Sequence, residues 1–352
     1  MFAGRGRRPA IGAWYARVNG MRLLVLGGTV FLSKAVAADA VRRGHTVVCA
    51  ARGTSGAVPA GAELVRVDRD GGAAAFEPLG GAEFDAVVDV ATMDPGWVRD
   101  ALRAVGARAG HWTFVSSMSV YADHGTPGQD ASSARLLPPV HERPAEPTPD
   151  AYGGAKVASE HVVAKLFEGP AFLVRPGLIV GDGDPSDRFG YWPARLSRGG
   201  AVLVPEPLDA PVQLVDVADL AQWIVDAAQR RLAGVFDAVC RPVPLSDVLA
   251  GITAGVGAPA PELVPASPSW LAEHEVRPWS GPRSLPLWAP GEDYAGFMAH
   301  DVSASQAAGL RTRPLEDTAA AALEHELRLG LDRERKAGLS AAEEAELLAA
   351  AR

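Results

Sequence analysis

Tyr152 and Lys156 are the residues of this sequence whose types and spacing most directly suggest chemistry. Side chains four residues apart lie on the same face of a helix and can meet. A free phenol has a pKa of about 10 and exchanges protons poorly at neutral pH. A neighbouring ammonium favours the phenolate and is expected to lower that pKa toward the working range of an acid or base. The alternative is an ordinary surface pair.

Lysine is scarce in this chain, so its position is informative. The sequence holds thirty arginines but only four lysines, Lys34, Lys156, Lys165 and Lys336, and five tyrosines. An ammonium is a compact charge whose pKa shifts readily, whereas a guanidinium stays charged. A lysine four residues after a tyrosine therefore indicates a need for a tunable charge, because a chance pairing of two such rare residues is infrequent.

Hydroxyl side chains follow a predicted strand upstream of this pair, in the run Val115-Ser116-Ser117-Met118-Ser119-Val120-Tyr121. Ligands of doubly wound sheets sit beyond the carboxyl ends of the strands. We predict that Ser117 holds a substrate oxygen beside the Tyr152 phenol and stabilises charge on it, with Ser119 as a substrate contact. The alternative is that these serines satisfy N–H groups of a turn.

A glycine turn, Gly27-Gly28-Thr29-Val30-Phe31-Leu32-Ser33, joins the first predicted strand to the first predicted helix. Such a turn lets phosphate approach backbone N–H groups at the helix N-terminus. Of the three glycines usual at positions one, four and seven, only Gly27 is present. Val30 is expected to crowd a pyrophosphate, and Ser33 is small enough for close packing of helix on strand. The predicted cofactor contacts are Gly27, Thr29, Val30, Phe31 and Leu32; a tight turn without a ligand is the alternative.

The end of the second predicted strand bears on the ribose of the cofactor. An acidic residue there would accept from the 2′-hydroxyl of NAD, but the strand ends Cys49-Ala50-Ala51-Arg52. Arg52 favours a 2′-phosphate and hence NADP(H), with NAD(H) as the second choice and a solvated arginine as the structural alternative. Asp68 is either an adenine contact or a loop cap. Ala91, after the fourth strand, is a further predicted cofactor contact.

Short apolar runs alternate with helical segments through the first half of the chain. Strands are predicted over 21–26, 46–50, 64–67, 84–90, 112–116 and 172–174, and helices over 31–43, 97–105 and 152–167. This alternation predicts an α/β fold, a Rossmann-type doubly wound parallel sheet built from βαβ units. We assign residues 21–176 to a dinucleotide-binding domain and residues 1–20 to a disordered extension or an over-long start.

The alternation breaks after Arg175. Residues 177–315 are predicted to form mainly a smaller substrate-binding lobe, with elements that return to the sheet. A helix is expected over 189–198, a strand over 212–215, a helix over 216–230 with Asp216 as its N-cap, and a returning strand over 234–239. The tryptophans of residues 242–300 are interpreted as lobe core, and residues 316–352 as a helical tail. Candidate substrate contacts, each with packing or surface charge as the alternative, are Arg188, Tyr191, Trp192 and Arg195.

Composition limits the class of protein and its partners. The 352 residues are 48% hydrophobic and 22% charged, and the net charge of −8 argues against a general nucleic-acid binder. Cys49 and Cys240 indicate buried thiols, and no metal site is expected. Because no apolar run is long enough for a membrane span and residues 1–20 lack an apolar signal core, we expect a cytoplasmic protein that acts on a small molecule. A homodimer is left open.

Four motifs in this order resemble the extended, atypical short-chain dehydrogenase/reductase family, in its NAD-dependent epimerase/dehydratase group. They are Gly27-Gly28-Thr29-x-Phe31-Leu32, Ser116-Ser117-x-Ser119-Val120-Tyr121, Tyr152-x-x-x-Lys156 and Arg175-Pro176-Gly177. The resemblance runs from about residue 21 to residue 315. It implies a Rossmann domain with a small C-terminal substrate domain. It also implies that Tyr152 is the general acid/base, that Lys156 binds the nicotinamide ribose and lowers the tyrosine pKa, and that Ser117 bonds the reacting oxygen.

Two departures from the family pattern affect the functional prediction. Members that act on nucleotide sugars commonly carry an asparagine where this chain has Leu178, which weakens a nucleotide-sugar assignment. The altered glycine turn resembles a subgroup that includes chloroplast stem-loop RNA-binding proteins. The leading prediction is therefore an NAD(P)-dependent oxidoreductase of a carbonyl or alcohol substrate. The alternatives are an NAD(P)-dependent epimerase or dehydratase on a sugar-like substrate, and a non-catalytic nucleotide- or RNA-binding relative.

Overall fold

The computed structural model of the protein describes residues 20–146 and 148–351, so the predicted extension lies outside the described residues except for Gly20. Strands and helices alternate in the first half. The strands are β1 (Arg22–Leu26), β2 (Thr46–Ala51), β3 (Glu63–Arg66), β4 (Ala86–Asp89), β5 (Trp112–Val115) and β6 (Ala171–Pro176), and the helices are α1 (Phe31–Arg42), α2 (Pro95–Val105) and α3 (Pro149–Leu166). Short 3₁₀ segments cover Arg69–Leu79, Gly106–Arg108 and Met118–Val120.

The second half is built from shorter elements. The strands are β7 (Leu178–Val180), β8 (Ala201–Pro205), β9 (Pro211–Val212), β10 (Leu214–Asp216), β11 (Gly234–Ala238), β12 (Val243–Pro244), β13 (Glu262–Ala266), β14 (Arg277–Pro278), β15 (Gly281–Pro282), β16 (Ser284–Leu285) and β17 (Ala337–Gly338). The helices are α4 (Tyr191–Leu196), α5 (Val217–Arg230), α6 (Leu245–Gly255), α7 (Pro268–Glu273), α8 (Ser303–Ala307), α9 (Leu315–Leu329) and α10 (Ala341–Ala350), with a 3₁₀ turn at Glu292–Tyr294.

Seven parallel strands form the central sheet, in the order β11-β6-β5-β4-β1-β2-β3. Every residue of β4 and β5 is buried, which is typical of parallel strands covered by helices on both faces. The strand order reverses between β1 and β4, and the carboxyl ends of those two strands therefore flank a crevice. The predicted Rossmann-type doubly wound sheet is confirmed.

Helices cover the two faces of the sheet through separate apolar clusters. On one face α1 and α5 pack together and bury Val36, Trp223 and Ile224; the Trp223 ring lies edge-on to Phe172 of β6. On the other face α2 and α3 bury Val98, Leu102 and Val163. Ridges of apolar residues on each helix thus fix its rotation about its own axis, and this sets where α3 directs its polar side chains.

The predicted elements are present, with boundaries that differ by a few residues. The strand expected near 234–239 is β11, which pairs with β6, and Asp216 caps α5 by accepting from the Ala218 N–H at 2.8 Å. The strand expected over 212–215 is two short strands, β9 and β10. They part at Gln213, whose side chain donates to the carbonyls of Cys240 and His300. Side-chain bonding of this kind was not visible in the apolar pattern.

A third cluster forms the core of the lobe, between α4, α6, β8 and β13. Trp192 is fully buried there and donates from its indole nitrogen to the Pro286 carbonyl at 3.0 Å. Trp288 is also buried in this core, and Trp270 is packed against it. These three residues are therefore packing residues of the lobe.

Within residues 20–146 and 148–351, no helix combines the length and the apolarity needed to cross a bilayer. Helix α3 is the longest of those helices at 18 residues, and it carries Asp150, Lys156, Glu160 and Lys165.

Candidate active site

A cavity of about 590 Å³ opens at the carboxyl ends of the central strands. It is lined by the predicted site residues Ser117, Ser119, Tyr152, Lys156 and Arg188, together with Val30, Phe31 and Leu32. A smaller groove of about 220 Å³ shares Val90 and Thr92 with it and is lined by Gly27, Thr29, Arg52, Asp68 and Ala91. Together they make one crevice across the reversal of strand order, which is where doubly wound sheets bind dinucleotides.

The glycine turn approaches β2 so closely that a side chain cannot be accommodated. A Cβ on Gly28, whose φ is +100°, would lie 2.4 Å from the sulfur of Cys49. Ser33 packs against Gly27 and its hydroxyl donates to the Val30 carbonyl at 2.8 Å, so this hydroxyl serves the turn. Val30 is 46% exposed at the cavity wall and leaves the crevice open. The turn therefore packs closely on β2 and borders the crevice, and the phosphate contacts predicted for it stay a prediction.

The groove at the other end contains the residues predicted to meet the adenosine. Arg52 is exposed at its edge, with no acidic residue following β2. Asp68 accepts from the Asp70 N–H at 3.2 Å, so it has the hydrogen bond of a loop cap while also lining the groove. The adenine contact predicted for Asp68 stays a prediction, and so do those of Arg52 and Ala91.

Lys156 is the most buried charge of the site, at 2% exposure. Its ammonium donates to the carbonyl of Ala91, two residues after β4, at 2.5 Å and to the carbonyl of Val115, the last residue of β5, at 2.7 Å. An ammonium has three donors, so one is left for a ligand. Burial lowers the Lys156 pKa to about 7, against the opposing charges of Asp89 and Glu160.

A buried polar network holds the segments around Lys156. Arg175 at the end of β6 donates twice to Glu160, one turn beyond Lys156 on α3, at 2.9 and 2.7 Å. The Ser116 hydroxyl donates to the same carboxylate at 2.5 Å, and Arg175 also donates to the Tyr121 hydroxyl at 3.1 Å. Two hydrogen bonds to one carboxylate fix orientation as well as distance. The network thus ties α3 to the strand ends that carry Ser117.

Tyr152 lies beside the serine turn at the cavity wall. The Ser117 hydroxyl donates to Ser119 at 3.1 Å and accepts from the Ser119 N–H at 3.1 Å. Burial raises the Tyr152 pKa, while the Ser117 hydroxyl and the Arg188 charge lower it. The Lys156 nitrogen is 5.7 Å from the tyrosine ring centroid, and two of its hydrogens go to carbonyls. The expected shift toward neutrality is therefore absent from the ligand-free protein, where burial outweighs the Ser117 hydroxyl and the Arg188 charge and keeps the Tyr152 pKa raised.

Gly153 is what lets Tyr152 approach the serine turn. A Cβ at this position of α3 would lie 2.0 Å from the Ser119 carbonyl oxygen, and one on Gly154 would lie 2.8 Å from the Pro138 carbonyl. Real Cβ atoms do not come so near to backbone oxygens, so the helix could not pack here with alanine. Close packing of α3 on neighbouring backbone therefore explains why glycine stands at both positions after Tyr152.

The predicted substrate contacts are divided by the structure. Arg188 lines the cavity of Tyr152, and its guanidinium lies 5.1 Å from the ring centroid of Trp279. Tyr191 does not reach this cavity, because α4 turns its ring into the lobe core, where it is 2% exposed. Trp192 is in the same core, and Arg195 pairs with Glu344 beside a different cavity. The assignment of Tyr191, Trp192 and Arg195 as contacts in the Tyr152 cavity is therefore corrected.

Two cavity residues were missed by the sequence reasoning. Asp184 lies in the same turn-rich stretch as Arg188, and burial raises its pKa. Trp279 packs against the lobe core, as predicted for the tryptophans of this region, but it also lines the cavity, and its φ of +67° is rare for an aromatic residue. The available signal for Asp184 was an acidic residue seven positions after Gly177 of the Arg-Pro-Gly motif; no signal was available for the cavity position of Trp279.

The loop Gly181–Arg188 is held from outside by residues of the C-terminal segment. Asp187 has a φ of +63°, and its carboxylate accepts from the Arg333 guanidinium at 3.1 Å and the Lys336 N–H at 2.8 Å. The Lys336 ammonium donates to the Pro185 carbonyl at 2.9 Å, and Arg328 pairs with Asp182. These contacts fix the loop that presents Asp184 and Arg188 to the cavity.

The model of the NAD dependent epimerase/dehydratase family matches residues 23–237, more than half of the chain. The chain belongs to this family. It is thus an enzyme of the epimerase/dehydratase type that uses a nicotinamide dinucleotide, with the oxidoreductase chemistry of short-chain dehydrogenases/reductases. The matched range begins in β1 and ends in β11, so it covers nearly all of the central sheet and includes Ser117, Tyr152 and Lys156.

Solved structures share the fold at low sequence identity. A putative epimerase from Burkholderia cenocepacia J2315 has a TM-score of 0.65 and 21% identity, over 88% of this chain and 98% of that one. The Bordetella bronchiseptica enzyme WbmH, in complex with NAD+, has a TM-score of 0.62 and 18% identity over 88% and 99% of the chains. UDP-N-acetylglucosamine 4-epimerase from Bacillus cereus has a TM-score of 0.62 and 17% identity, over 91% of this chain and 100% of that one. No curated protein matches the chain.

Replacing Gly153 by alanine should destabilise the protein. A helical Gly→Ala change ordinarily stabilises by up to about 1 kcal/mol, but here the Cβ would meet the Ser119 carbonyl at 2.0 Å. We expect a loss of about 1–3 kcal/mol in the free energy of unfolding, measured in urea. Gly106→Ala is the control, since its Cβ would lie 3.7 Å from Leu102. Equal effects of both changes would contradict the proposed close approach.

Lys156→Met should change how stability depends on pH. The folded pKa near 7 lies below the usual 10.5, so between those values the unfolded chain binds the proton and the folded protein does not. Wild-type stability should therefore rise with pH relative to the variant, by about 1.4 kcal/mol per pH unit at most. Urea unfolding of the cofactor-free proteins from pH 7 to 9 measures this. Exposed Lys165→Met is the control, and parallel curves for wild type and Lys156→Met would refute the shifted pKa.

Proposed function

We propose that the protein is an NADP(H)-dependent oxidoreductase that interconverts a carbonyl and an alcohol, with Tyr152 as the acid/base. The observation that carries this proposal is that Ser117, Tyr152 and Lys156 line the same cavity as the glycine turn. A bound dinucleotide supplies or accepts the hydride. The chain's own residues then have to hold the substrate oxygen and move one proton.

The state of Tyr152 suits proton donation during carbonyl reduction. Its raised pKa keeps the phenol protonated at neutral pH, so it can give a proton to the oxygen as negative charge develops there. The Ser117 hydroxyl and the Arg188 charge both favour the phenolate left behind. The third donor of Lys156 is assigned to the nicotinamide ribose, and a dinucleotide hydroxyl placed there would add to this stabilisation.

Arg52 supports NADP(H) over NAD(H). It stands exposed at the end of β2, at the edge of the groove expected to hold the adenosine, where an acid would select the 2′-hydroxyl of NAD. A guanidinium offers a planar pair of donors to a 2′-phosphate instead.

A second candidate is an epimerase or dehydratase that oxidises its substrate transiently and returns the hydride. Family membership and the fold shared with a UDP-N-acetylglucosamine 4-epimerase favour it. The same serine, tyrosine and lysine would serve both reactions. Leu178, which lines the cavity where nucleotide-sugar members carry an asparagine, argues against a nucleotide-sugar substrate. A non-catalytic relative is disfavoured because all three polar side chains face one cavity.

Tyr152→Phe should lower turnover by about 10²–10⁴-fold, because the ring stays in place while the exchangeable proton is lost. NADPH affinity should change little, since the phenol is not needed for the phosphate or adenosine contacts. NADPH consumption with a panel of carbonyl compounds gives the rate, and nicotinamide fluorescence gives the affinity. Turnover at the wild-type level would exclude Tyr152 as the acid/base.

Arg52→Ala should weaken NADPH binding about tenfold or more and leave NADH binding nearly unchanged, since a hydrogen bond to a charged group contributes about 1.5–3 kcal/mol. Fluorescence titrations with the two cofactors measure this. Arg103→Ala, at an exposed position of α2, serves as the control. An equal loss for both cofactors would rule out a contact with the 2′-phosphate.

A further inference from the structure

Asp184 lines the cavity, and one of its carboxylate oxygens is buried without a hydrogen-bond partner among the described residues. The side chain is 7% exposed, and one carboxylate oxygen accepts from the Ser186 N–H at 2.8 Å. Among the described residues nothing donates to the other oxygen. Leaving a buried charged acceptor unsatisfied is costly, so such groups commonly meet a ligand. A hydroxyl of the substrate is the donor that would satisfy it.

Arg188 shares this cavity with Lys156, whose ammonium already donates to two carbonyls. In the described part of the chain no side chain or carbonyl accepts from the Arg188 guanidinium. The guanidinium lies 5.1 Å from the Trp279 ring centroid, and the Trp279 ring has Phe297 edge-on to it at a centroid distance of 4.9 Å. The buried Arg175, by contrast, is paired with Glu160. A half-buried guanidinium kept in place by an aromatic ring is suited to an anionic ligand group.

The other polar groups of the cavity are already used or belong to the reacting end. Gln213 lines the cavity, but its amide donates to Cys240 and His300 and accepts from the His300 N–H. Ser117 and Tyr152 stand at the reacting end. Arg188 lines the same cavity as Ser117 and Tyr152, and its charge opposes the rise that burial causes in the Tyr152 pKa. An anionic group bound to Arg188 therefore shares the cavity with the reacting end.

From this arrangement we propose that the substrate is a small hydroxylated anion, bound with its acidic group on Arg188 and a neighbouring hydroxyl on Asp184. The inference rests on the proposed function, because the reacting carbon is taken to lie at Ser117 and Tyr152. A carboxylate and a phosphate present the same chemistry to a guanidinium. A nucleotide sugar does not fit this placement, since its diphosphate lies across the sugar ring from the carbon that reacts.

Three C3 compounds test the proposal, because they share hydroxyls and differ in charge: glycerate, glycerol 3-phosphate and glycerol. Quenching of tryptophan fluorescence in the NADP⁺-loaded protein reports binding beside Trp279. We expect glycerate, glycerol 3-phosphate or both to bind at least tenfold more tightly than glycerol, and the order of the two to tell carboxylate from phosphate. UDP-glucose should bind no better than glycerol. Anions that bind no better than glycerol, or UDP-glucose that binds best, would overturn the proposal.

Two variants assign the preference to its residues. Arg188→Gln should bring the anions to the affinity of glycerol, whereas Arg277→Gln, an exposed arginine two residues before Trp279, should leave the preference intact. Asp184→Asn should weaken all three compounds about tenfold or more, because each donates a hydroxyl. An anion preference that survives Arg188→Gln would contradict the assignment.

Two controls separate this inference from the alternatives. Arg188→Gln should unfold in urea no earlier than wild type, since the guanidinium bonds no described residue; early unfolding would mean a structural role and refute the assignment. Cofactor titrations test the proposed function separately from the substrate class. If wild-type protein binds neither NADPH nor NADH, the proposed function is refuted. If Arg188→Gln binds NADPH normally and keeps the anion preference of the wild type, only the substrate class is refuted.

Discussion

The rest of the site depends on one buried ammonium. Lys156 donates to one carbonyl just after β4 and to the last carbonyl of β5, and so joins α3 to the carboxyl ends of two neighbouring strands. Removing this charge from water is costly, and burial moves its pKa to about 7. The two carbonyls and the carboxylates of Asp89 and Glu160 offset part of that cost. These two hydrogen bonds also hold α3 close to the carboxyl edge of the sheet, and so help to place Tyr152 at the cavity wall.

Rotation and approach of the same helix are set by separate contacts. The paired hydrogen bonds from Arg175 to Glu160 fix which way α3 faces, because a carboxylate held at two points cannot turn. Gly153 removes the side chain that would keep α3 away from the Ser119 carbonyl. Three residues of α3 thus have separate roles: Lys156 supplies the charge, Glu160 fixes the orientation of the helix, and Gly153 allows its close approach to the serine turn. This explains how a short stretch of sequence can carry most of the site.

The sheet and the residues around Tyr152 were predictable because they leave local patterns in the sequence. Continuous apolar runs marked the parallel strands, and the tyrosine and lysine stood at helical spacing. The lobe was less predictable, since Tyr191 and Arg188 are near neighbours in sequence yet face a core and a cavity. A φ of +63° at Asp187 and of +67° at Trp279 changes the direction of the chain without an apolar signature. The lowered Tyr152 pKa that the spacing of Tyr152 and Lys156 predicts is not observed, because burial raises this pKa. Burial depends on the whole fold and cannot be deduced from the spacing of two residues.

The loop that carries Asp184 and Arg188 is shaped by residues more than a hundred positions away, through Arg328, Arg333 and Lys336. Tyr152 and Lys156 on α3 and the loop that bears Asp184 and Arg188 are therefore stabilised by different parts of the polypeptide. A substitution at Arg328, Arg333 or Lys336 removes a contact of this loop and none of the contacts described for Lys156. The shape of one wall of the cavity is thus encoded far along the chain from the helix that forms the opposite wall.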